Sequence, residues 1–256
     1  MPQSKMKPDR IKDILNILNK EHHISIAELS KRIFTSKSTL RRDLISLEED
    51  NIVRRQYGVV YLLQDKNIEY TYSRREKVQE KAKRYICELA VKLIPNNAAL
   101  FLDGSSTIMS MPDLLTDKVG LHVITNNLFI ANRLNQMTPI ETVMLGGILS
   151  HKSGSSVGSW TIEQIYKFKT DFALLSASTL NLDGVYSADA EQSTLKSAMI
   201  HNAKTAILMV DHSKFDHNDY IMMSNYDDID VIITDQRPAD KYVQLFEQMG
   251  IKLVYD

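Results

Sequence analysis

The chain has 256 residues, of which 43% are hydrophobic and 25% charged, and it has a single cysteine. This composition is typical of a globular protein, and the length suits one small domain and one of ordinary size. No apolar run approaches the roughly 18 residues of a membrane-spanning helix, and the polar start lacks a signal-peptide core, so the sequence predicts a cytoplasmic protein. One cysteine excludes an intrachain disulfide and a cysteine-rich zinc site.

Charge is divided unevenly along the chain. Residues 1–63 hold 12 lysines and arginines against 8 aspartates and glutamates, a net charge of +4. The remaining residues hold 19 basic against 24 acidic side chains, a net charge of −5, so the overall value of −1 hides the difference. A basic segment of this size favours salt-dependent contact with nucleic-acid phosphates.

The N-terminal segment has the pattern of three helices. Ser25 and Glu28 match a capping box at the start of the second helix, and Ser36 is a candidate N-cap for the third. A turn of about four residues between these two helices indicates a helix-turn-helix, whose last helix lies in the DNA major groove. The apolar residues with helical spacing are Ile11, Ile14, Leu15 and Leu18, then Ile26, Leu29, Ile33 and Phe34, then Leu40, Leu44 and Leu47.

The third helix carries the residues that we expect to read DNA. Its N-terminus favours a phosphate group. The alternative is that its two arginines only form surface ion pairs with Asp43, Glu48 or Glu49. The candidate DNA-binding residues in its first two turns, away from the leucine stripe, are Lys37, Ser38, Thr39, Arg41 and Arg42.

Two short strands around Gly58 follow this helix and predict a wing. Arg54 and Arg55, in the first of these strands, are expected to contact the DNA backbone. The sequence therefore predicts a winged helix-turn-helix domain over residues 1–63 and a polar linker over residues 64–75. A charged helix then opens a second domain over residues 76–256, with Cys87 in its apolar stripe as a packing residue.

From residue 98 onward, short apolar runs alternate with helical patterns, which indicates an α/β domain with a mainly parallel sheet. In such a sheet, ligands bind beyond the carboxyl ends of the strands. Trp160 is predicted to be a packing residue. Strands are predicted at residues 98–102, 122–125, 141–145, 172–176, 205–210, 231–234 and 252–254, and helices at residues 128–134, 162–168, 191–202 and 239–249.

Three loops that directly follow predicted strands are candidates for a ligand site. In the first, a glycine, three hydroxyls and a helix N-terminus suit a phosphate, although the lysine and spacing of a nucleotide P-loop are missing. An N-cap with surface hydroxyls also explains this loop taken alone. Convergence of all three at one sheet edge would form a pocket. The loops are Asp103-Gly104-Ser105-Ser106-Thr107, Thr125-Asn126 and Gly146-Gly147.

Charged residues further along the chain complete the predicted effector site. Lys196 is a candidate partner for a phosphate or carboxylate, and Glu191 a candidate acceptor for sugar hydroxyls. Their spacing fits an ordinary solvated charge pair equally well. Lys214 follows another predicted strand and lies at the same edge of the sheet. The sequence predicts no metal site and no cofactor.

These motifs resemble those of the DeoR-type bacterial transcription regulators over essentially the whole chain. The resemblance implies a C-terminal sensor domain similar in fold to ribose-phosphate isomerase, with a phosphorylated sugar as effector. The N-terminal residues that carry it are Arg10, Ile14, Ile26, Leu29, Ser36, Thr39, Arg41, Arg42, Asp43, Leu44, Leu47, Glu48 and Gly58. In the second domain the three loops, the helix from Glu191 to Lys196 and the run Ser213-Lys214-Phe215 carry it.

The first alternative is an enzyme, since the implied fold is shared with an aldose-ketose isomerase. Such an isomerase needs a carboxylate after a middle strand to move a proton. Residues 176–180, which follow that strand here, hold no carboxylate, so no catalytic residue is predicted. A protein-binding or RNA-binding winged module is the second alternative. The sequence favours a DNA-binding regulator, a repressor of sugar-metabolism genes, that acts as a homodimer or homotetramer on double-stranded operator DNA. Activation in place of repression stays open.

Overall fold

The computed structural model describes residues 7–49, 52–62, 75–76, 78–137 and 140–255. The chain divides into two compact units, Met1–Tyr70 and Thr71–Asp256. The linker that the sequence places at residues 64–75 lies outside the described residues except for its last position. The domain boundaries drawn from the sequence stay predictions.

The N-terminal unit packs helices against a small antiparallel sheet of three described strands, in the order β1-β3-β2. Ile14, Leu18, Leu29, Leu40 and Leu44 are fully buried at its centre, where the helical spacing of the sequence placed an apolar stripe. The elements are α1 (Lys7–Glu21), β1 (His23–Ser25), α2 (Ile26–Arg32), α3 (Lys37–Glu49), β2 (Val53–Gln56) and β3 (Val59–Leu62).

Side-chain caps set the start of the second and third helices. The Ser25 hydroxyl accepts from the Glu28 amide at 3.1 Å, and the Ser36 hydroxyl accepts from the Thr39 amide at 3.1 Å. In a capping box the Glu28 carboxylate would also accept from the Ser25 backbone amide. The described structure shows this carboxylate accepting from Arg32 instead, at 3.0 Å. Four residues separate α2 from α3, which confirms the predicted turn.

The C-terminal unit is built on a parallel sheet of seven described strands in the order β15-β14-β12-β9-β4-β5-β6. The strands of this sheet are β4 (Ala99–Leu102), β5 (His122–Thr125), β6 (Glu141–Met144), β9 (Thr170–Leu175), β12 (Ala203–Met209), β14 (Val231–Ile233) and β15 (Lys252–Val254). The shorter strands are β7 (Ile148–Leu149), β8 (Ser156–Val157), β10 (Thr179–Leu180), β11 (Val185–Ser187) and β13 (Ile221–Ser224).

Helices cover both faces of the parallel sheet. Successive side chains of β4 point to opposite faces of the sheet and are apolar on both. Leu100 and Leu102 belong to one apolar cluster and Phe101 to the other, so both faces need to be covered. Helices α4, α5 and α6 pack with the first cluster, and α7, α8 and α9 with the second. Their bounds are α4 (Glu80–Val91), α5 (Met111–Leu114), α6 (Leu128–Met137), α7 (Ser159–Ile165), α8 (Ala190–His201) and α9 (Asp240–Gln248). Short 3-10 turns cover Ile108–Ser110, His212–Lys214 and Tyr226–Asp228.

The sequence predicted every strand of the parallel sheet to within two residues at each end, but it missed the short antiparallel strands. Of these, β10, β11 and β13 form a second sheet, and residues 181–184 connect β10 to β11. Strand β1, which pairs with β3, was also missed. The missed strands, of two to four residues, are too short for an alternating pattern to register, whereas the equally short strands of the parallel sheet stand out as continuous apolar runs. No helix among the described residues has the length and apolar character needed to cross a bilayer.

Candidate functional site

The two arginines of α3 lie on the surface of the N-terminal unit. Arg41 and Arg42 are exposed, and no ion pair involves either of them in the part of the chain that the structure describes. Lys37 and Ser38 are exposed in the first turn of α3, beside a half-buried Thr39. The five predicted residues therefore share the N-terminal half of one helix.

Two of the acidic residues that were alternative partners for these arginines, Asp43 and Glu48, are engaged elsewhere. Asp43 is 2% exposed and accepts from Arg10, whose Nε lies 2.8 Å from Oδ2 and whose second nitrogen lies 3.2 Å from Oδ1. The hydrogen bond to Asp43 raises the pKa of Arg10. Glu48 binds Arg55. Arg10 thus ties α1 to α3. Because Arg10 occupies Asp43 and Arg55 occupies Glu48, neither carboxylate pairs with Arg41 or Arg42.

Replacement of Arg10 by alanine is expected to lower the unfolding free energy of the N-terminal unit by about 1 to 3 kcal/mol, the usual effect of leaving a buried acceptor without its donor. Thermal or urea unfolding of the full chain measures the loss. The matched control is Arg32→Ala, since Arg32 binds Glu21 and Glu28 on the surface. A loss from Arg10→Ala no larger than that from the control would contradict a structural role for the Arg10–Asp43 pair.

The wing is the hairpin of β2 and β3, and it corrects one expectation. Arg54 is exposed, as a contact to the DNA backbone requires. Arg55 instead donates its backbone amide and its guanidinium Nε to Glu48, both at 2.8 Å, and these bonds lower the pKa of Glu48. Arg55 therefore fastens the wing to α3, which makes Arg54 the better candidate for a DNA contact.

Sequence reasoning missed Tyr57 at the tip of the wing. Its side chain is 96% exposed, and its φ of +50° together with +79° at Gly58 forms the two-residue turn between β2 and β3. The sequence did contain a signal for this residue, since Tyr57 directly precedes the glycine of the predicted hairpin turn and so had to lie at its tip. Tyr57 stands at the point of the hairpin farthest from its packed base.

In the C-terminal unit, the first predicted loop follows β4 and is organised by Asp103. Its carboxylate is 1% exposed and accepts from the Ser105 amide at 2.9 Å, the Ser105 hydroxyl at 2.6 Å and the Ser176 amide at 3.2 Å. Lys196 lies 2.9 Å from Oδ2, the oxygen that also accepts from the Ser176 amide, and it donates to the Ser176 carbonyl at 2.6 Å. Asp103 and Lys196 therefore hold together the ends of β4, β9 and helix α8.

A second lysine, Lys83 of α4, was missed by the sequence reasoning. Its ammonium donates to the Ser106 hydroxyl at 3.0 Å, and the residue is only 4% exposed. Burial, together with the positive charge of Lys214, lowers the pKa of Lys83 to about 8. The available signal was a lysine within an apolar stripe, because Lys83 stands one turn before the buried Ile86 and Cys87.

Lys214 completes a group of cations around the first loop. It lies in the 3-10 turn after β12, and burial, with Arg75 and Lys196 as further positive neighbours, lowers its pKa. We call Lys83, Lys196 and Lys214 the lysine cluster. Strands β4, β9 and β12 are neighbours in the sheet, so their carboxyl ends bring Asp103, Ser106 and the cluster to one place. Chemically, such a place is suited to an anion that relieves the repulsion between buried positive charges.

The second predicted loop packs against the first. Thr125 and Asn126 are buried, and the Asn126 amide donates to the Ser156 carbonyl at 3.0 Å. A Cβ on Gly104 would stand 2.0 Å from the Ser155 hydroxyl and 2.9 Å from the Asn127 side-chain amide, so both side chains would have to shift to admit a larger residue. The structure thus brings the two loops together, with Thr125 and Asn126 in the packing that supports them.

The third predicted loop lies beside a different pocket. Gly146 and Gly147 are exposed, and the Gln164 side chain bonds the amide and the carbonyl of Gly146, both at 3.0 Å. The pocket has a volume of about 400 Å³, and its lining contains no residue of the other two loops. Trp160 lines it and is 72% exposed, so the expectation that Trp160 is a packing residue is wrong.

Glu191 and Lys196 do not form one group. Glu191 is exposed in the first turn of α8, whose N-cap is Asp189, while Lys196 is buried against Asp103. Five residues on a helix correspond to 500° of rotation, which turns the two side chains away from each other. Among the predicted effector residues, Glu191, Gly146 and Gly147 are the ones that the structure does not bring to the lysine cluster.

Models of known protein families match both units of the chain. A DeoR-like helix-turn-helix domain matches residues 10–66, and the DeoR C terminal sensor domain matches residues 78–236. This chain belongs to the DeoR family. As a DeoR-family protein it is a DNA-binding transcriptional regulator, with α3 in its helix-turn-helix domain and the lysine cluster in its sensor domain.

Two relatives show how far the DeoR-family likeness extends. The glycerol-3-phosphate regulon repressor of Escherichia coli K12 is 30% identical over 94% of this chain and 95% of its own length. The transcriptional repressor GlcR of Bacillus subtilis 168 is 31% identical over 96% and 95%. A solved structure of ribose 5-phosphate isomerase A from Neisseria gonorrhoeae aligns with 55% of this chain and 56% of its own, with 15% identity and a TM-score of 0.41.

Proposed function

We propose that this DeoR-family regulator represses sugar-metabolism genes and that a phosphorylated sugar, bound at the lysine cluster, controls it. Operator DNA is contacted by α3 through Arg41 and Arg42, with Arg54 on the backbone. The observation that carries the effector proposal is the burial of Lys83 beside Ser106, with Lys214 as a positive neighbour. The names of two relatives, a glycerol-3-phosphate regulon repressor and GlcR, support the same class of function.

A phosphate monoester suits the lysine cluster because it carries a charge of about −1.5 to −2 at neutral pH and three acceptor oxygens. Lysine ammonium groups and the Ser106 hydroxyl are donors. A bound dianion would offset both the burial and the neighbouring positive charges that lower the pKa of Lys83 and Lys214. Asp103 is not available as a direct ligand, since four donors already surround its carboxylate. We infer that it shapes the loop that receives the phosphate.

The same arrangement argues against isomerase activity. A base that moves a proton needs a free carboxylate over the substrate. Asp103 is paired with Lys196, and Ser176, Ala177 and Ser178 follow β9 in place of acidic residues. Incubation of the pure protein with ribose 5-phosphate tests this directly, and conversion to the ketose would overturn the assignment as a sensor.

Regulation follows from linkage between the two sites. We propose that effector and operator favour different states of the protein, so each lowers the affinity of the other by the same factor. A single winged domain contacts few bases, and a homodimer or homotetramer would place two or more of them on repeated half-sites. The sign of regulation at a given promoter depends on where the operator lies.

A thermal-shift screen tests the effector class. Phosphorylated sugars are compared with the same sugars without phosphate and with inorganic phosphate. A ligand at 100 times its dissociation constant stabilises the native state by about 2.7 kcal/mol, so a true effector raises the melting temperature of the sensor unit. Gel shifts with operator DNA then test the coupling. Unchanged operator affinity in the presence of a sugar phosphate that binds would contradict the allosteric proposal.

The affinity for a phosphorylated sugar is expected to fall as the pH rises above about 8. The pKa of Lys83 is lowered to about 8 in the free protein, and a bound dianion favours its charged form, so binding raises that pKa. Between the two values binding takes up a proton, and affinity falls by up to about tenfold per pH unit. Isothermal titration at pH 7, 8 and 9 measures the trend.

Lys83→Met is the control for this pH dependence. The variant loses a charge that burial disfavours, so its melting temperature without ligand should stay near the wild-type value, while affinity for the sugar phosphate falls and no longer depends on pH above 8. A melting temperature that drops strongly with ligand affinity intact would show that Lys83 is structural and would contradict its assignment to the phosphate.

A further inference from the structure

Large apolar side chains are exposed together beside the β7–β8 hairpin and helix α7. Trp160 is 72% exposed and Ile148 71%, with Tyr166 at 60%. The whole group, which we call the α7 surface, consists of Leu128, Phe129, Ile148, Leu149, Trp160 and Tyr166. Contiguous apolar surface of this kind is uncommon on a monomer and marks a contact with another protein.

Backbone pairing shows that these residues are neighbours. Ile148 pairs with Val157, two residues before α7 begins, and Trp160 lines the same pocket as Gly147. On the other side of the hairpin, the Phe129 ring would lie 2.3 Å from a Cβ placed on Gly154. Ile148, Trp160 and Phe129 of the α7 surface therefore lie around one hairpin.

Charge on α7 identifies the kind of partner. Trp160, Glu163, Gln164 and Lys167 are spaced at i, i+3, i+4 and i+7, so they share one face of the helix and the turn that follows it. Glu163 and Lys167 are exposed, and their spacing would allow an ion pair within the helix. No such pair forms between them in the described structure. Both charges are thus left for a partner that carries the opposite pattern.

We propose that the α7 surface is where a second copy of this chain docks, with the two α7 helices antiparallel across a twofold axis. In a twofold interface the same patch meets itself, so Glu163 of one copy faces Lys167 of the second and the reverse contact repeats it. The pattern Glu163–Lys167 is self-complementary only in the antiparallel arrangement. Trp160 then packs near the centre of a surface rimmed by these charges.

The open edge of the parallel sheet agrees with this occupant. A stable dimer buries about 800 Å² on each partner, and an aromatic side chain as exposed as Trp160 supplies roughly 150 Å² of that. Strand β6 ends the parallel sheet and pairs, among the described strands, only with β5, so its outer edge is open. It leads directly into Gly146 and Gly147 beside α7. A docked second copy would cover that edge, which is otherwise a site of uncontrolled pairing.

The test is sedimentation of the full chain without DNA over a wide concentration range, down to nanomolar with a fluorescent label. The wild type is expected to form dimers or larger assemblies. Trp160→Arg should weaken the dimer by about 30-fold or more, as for a central aromatic residue of an interface. The matched control is Val119→Arg, at a residue that is 66% exposed outside the α7 surface, and it should leave assembly unchanged.

Charge reversal separates a specific antiparallel contact from general damage. Glu163→Lys and Lys167→Glu should each weaken the dimer by about tenfold, and the double variant should recover most of that loss. Circular dichroism melting checks that every variant is folded. A wild type that is monomeric at all concentrations, or an unchanged dimer in Trp160→Arg and both single reversals, would overturn the proposal. Failure of the double variant to recover would overturn the antiparallel pairing.

Discussion

Replacing Arg41 and Arg42 by alanine is expected to abolish specific operator binding while the fold is retained. Each arginine that contacts a base contributes about 1 to 3 kcal/mol, or roughly five-fold to 150-fold in affinity. Both side chains are exposed and free of ion pairs in the described structure, so their removal leaves no buried group without a partner. Gel shifts with operator and with unrelated duplex DNA measure the loss.

The comparison between the two DNAs decides what the arginines do. If Arg41 and Arg42 read bases, the double variant loses preference for operator over unrelated DNA, and the salt dependence changes little. A matched control removes two exposed cations from α4, Lys81 and Arg84, which changes net charge by the same amount. An equal loss of operator affinity in this control, or retained specificity in the arginine variant, would contradict the assignment of α3 as the reading helix.

The DNA-binding unit was the part that the sequence predicted best. Caps at Ser25 and Ser36 and the leucine stripe of α3 act within a few residues, so local spacing is enough to locate them. Arg55 shows the limit of prediction from local spacing. Its pairing with Glu48 joins a strand to a helix, and no local pattern distinguishes it from the exposed Arg54 next to it.

The candidate effector site was predicted in outline only. The loop at Asp103 could be predicted because it directly follows a predicted strand, and parallel strands place their carboxyl ends at one edge of the sheet. The order of the strands in the sheet, however, could not be predicted from local sequence patterns. That order places β9 beside β4 and β12 beside β9. Lys83 bonds Ser106 and has Lys214 as a positive neighbour, whereas Gly146 lies beside another pocket. For Lys83, its position on an apolar stripe was the one local sign in the sequence.

Replacing Lys196 by methionine is expected to destabilise the sensor unit strongly. The change leaves Asp103, 1% exposed, without the cation 2.9 Å from its carboxylate. Breaking a buried ion pair from one side costs about 3 to 5 kcal/mol. For a unit of this size that corresponds to a melting temperature lower by roughly 6 to 20 °C. Calorimetry or circular dichroism of the full chain measures it.

A surface pair provides the control. Lys204 lies 2.8 Å from Asp171, but its side chain is 79% exposed, so Lys204→Met should cost less than about 1 kcal/mol. The double variant Asp103→Asn with Lys196→Met should be more stable than Lys196→Met alone, because it removes the isolated buried charge.

Lys83→Met and Lys196→Met then separate two roles of the lysine cluster. Loss of ligand response without loss of stability is expected for Lys83, because burial opposes its charge and Ser106 is its contact in the loop. Loss of stability is expected for Lys196, because its charge balances Asp103. If Lys196→Met melts at the wild-type temperature and only fails to bind the sugar phosphate, the Asp103–Lys196 pair does not hold the loop, and Lys196 contacts the effector itself.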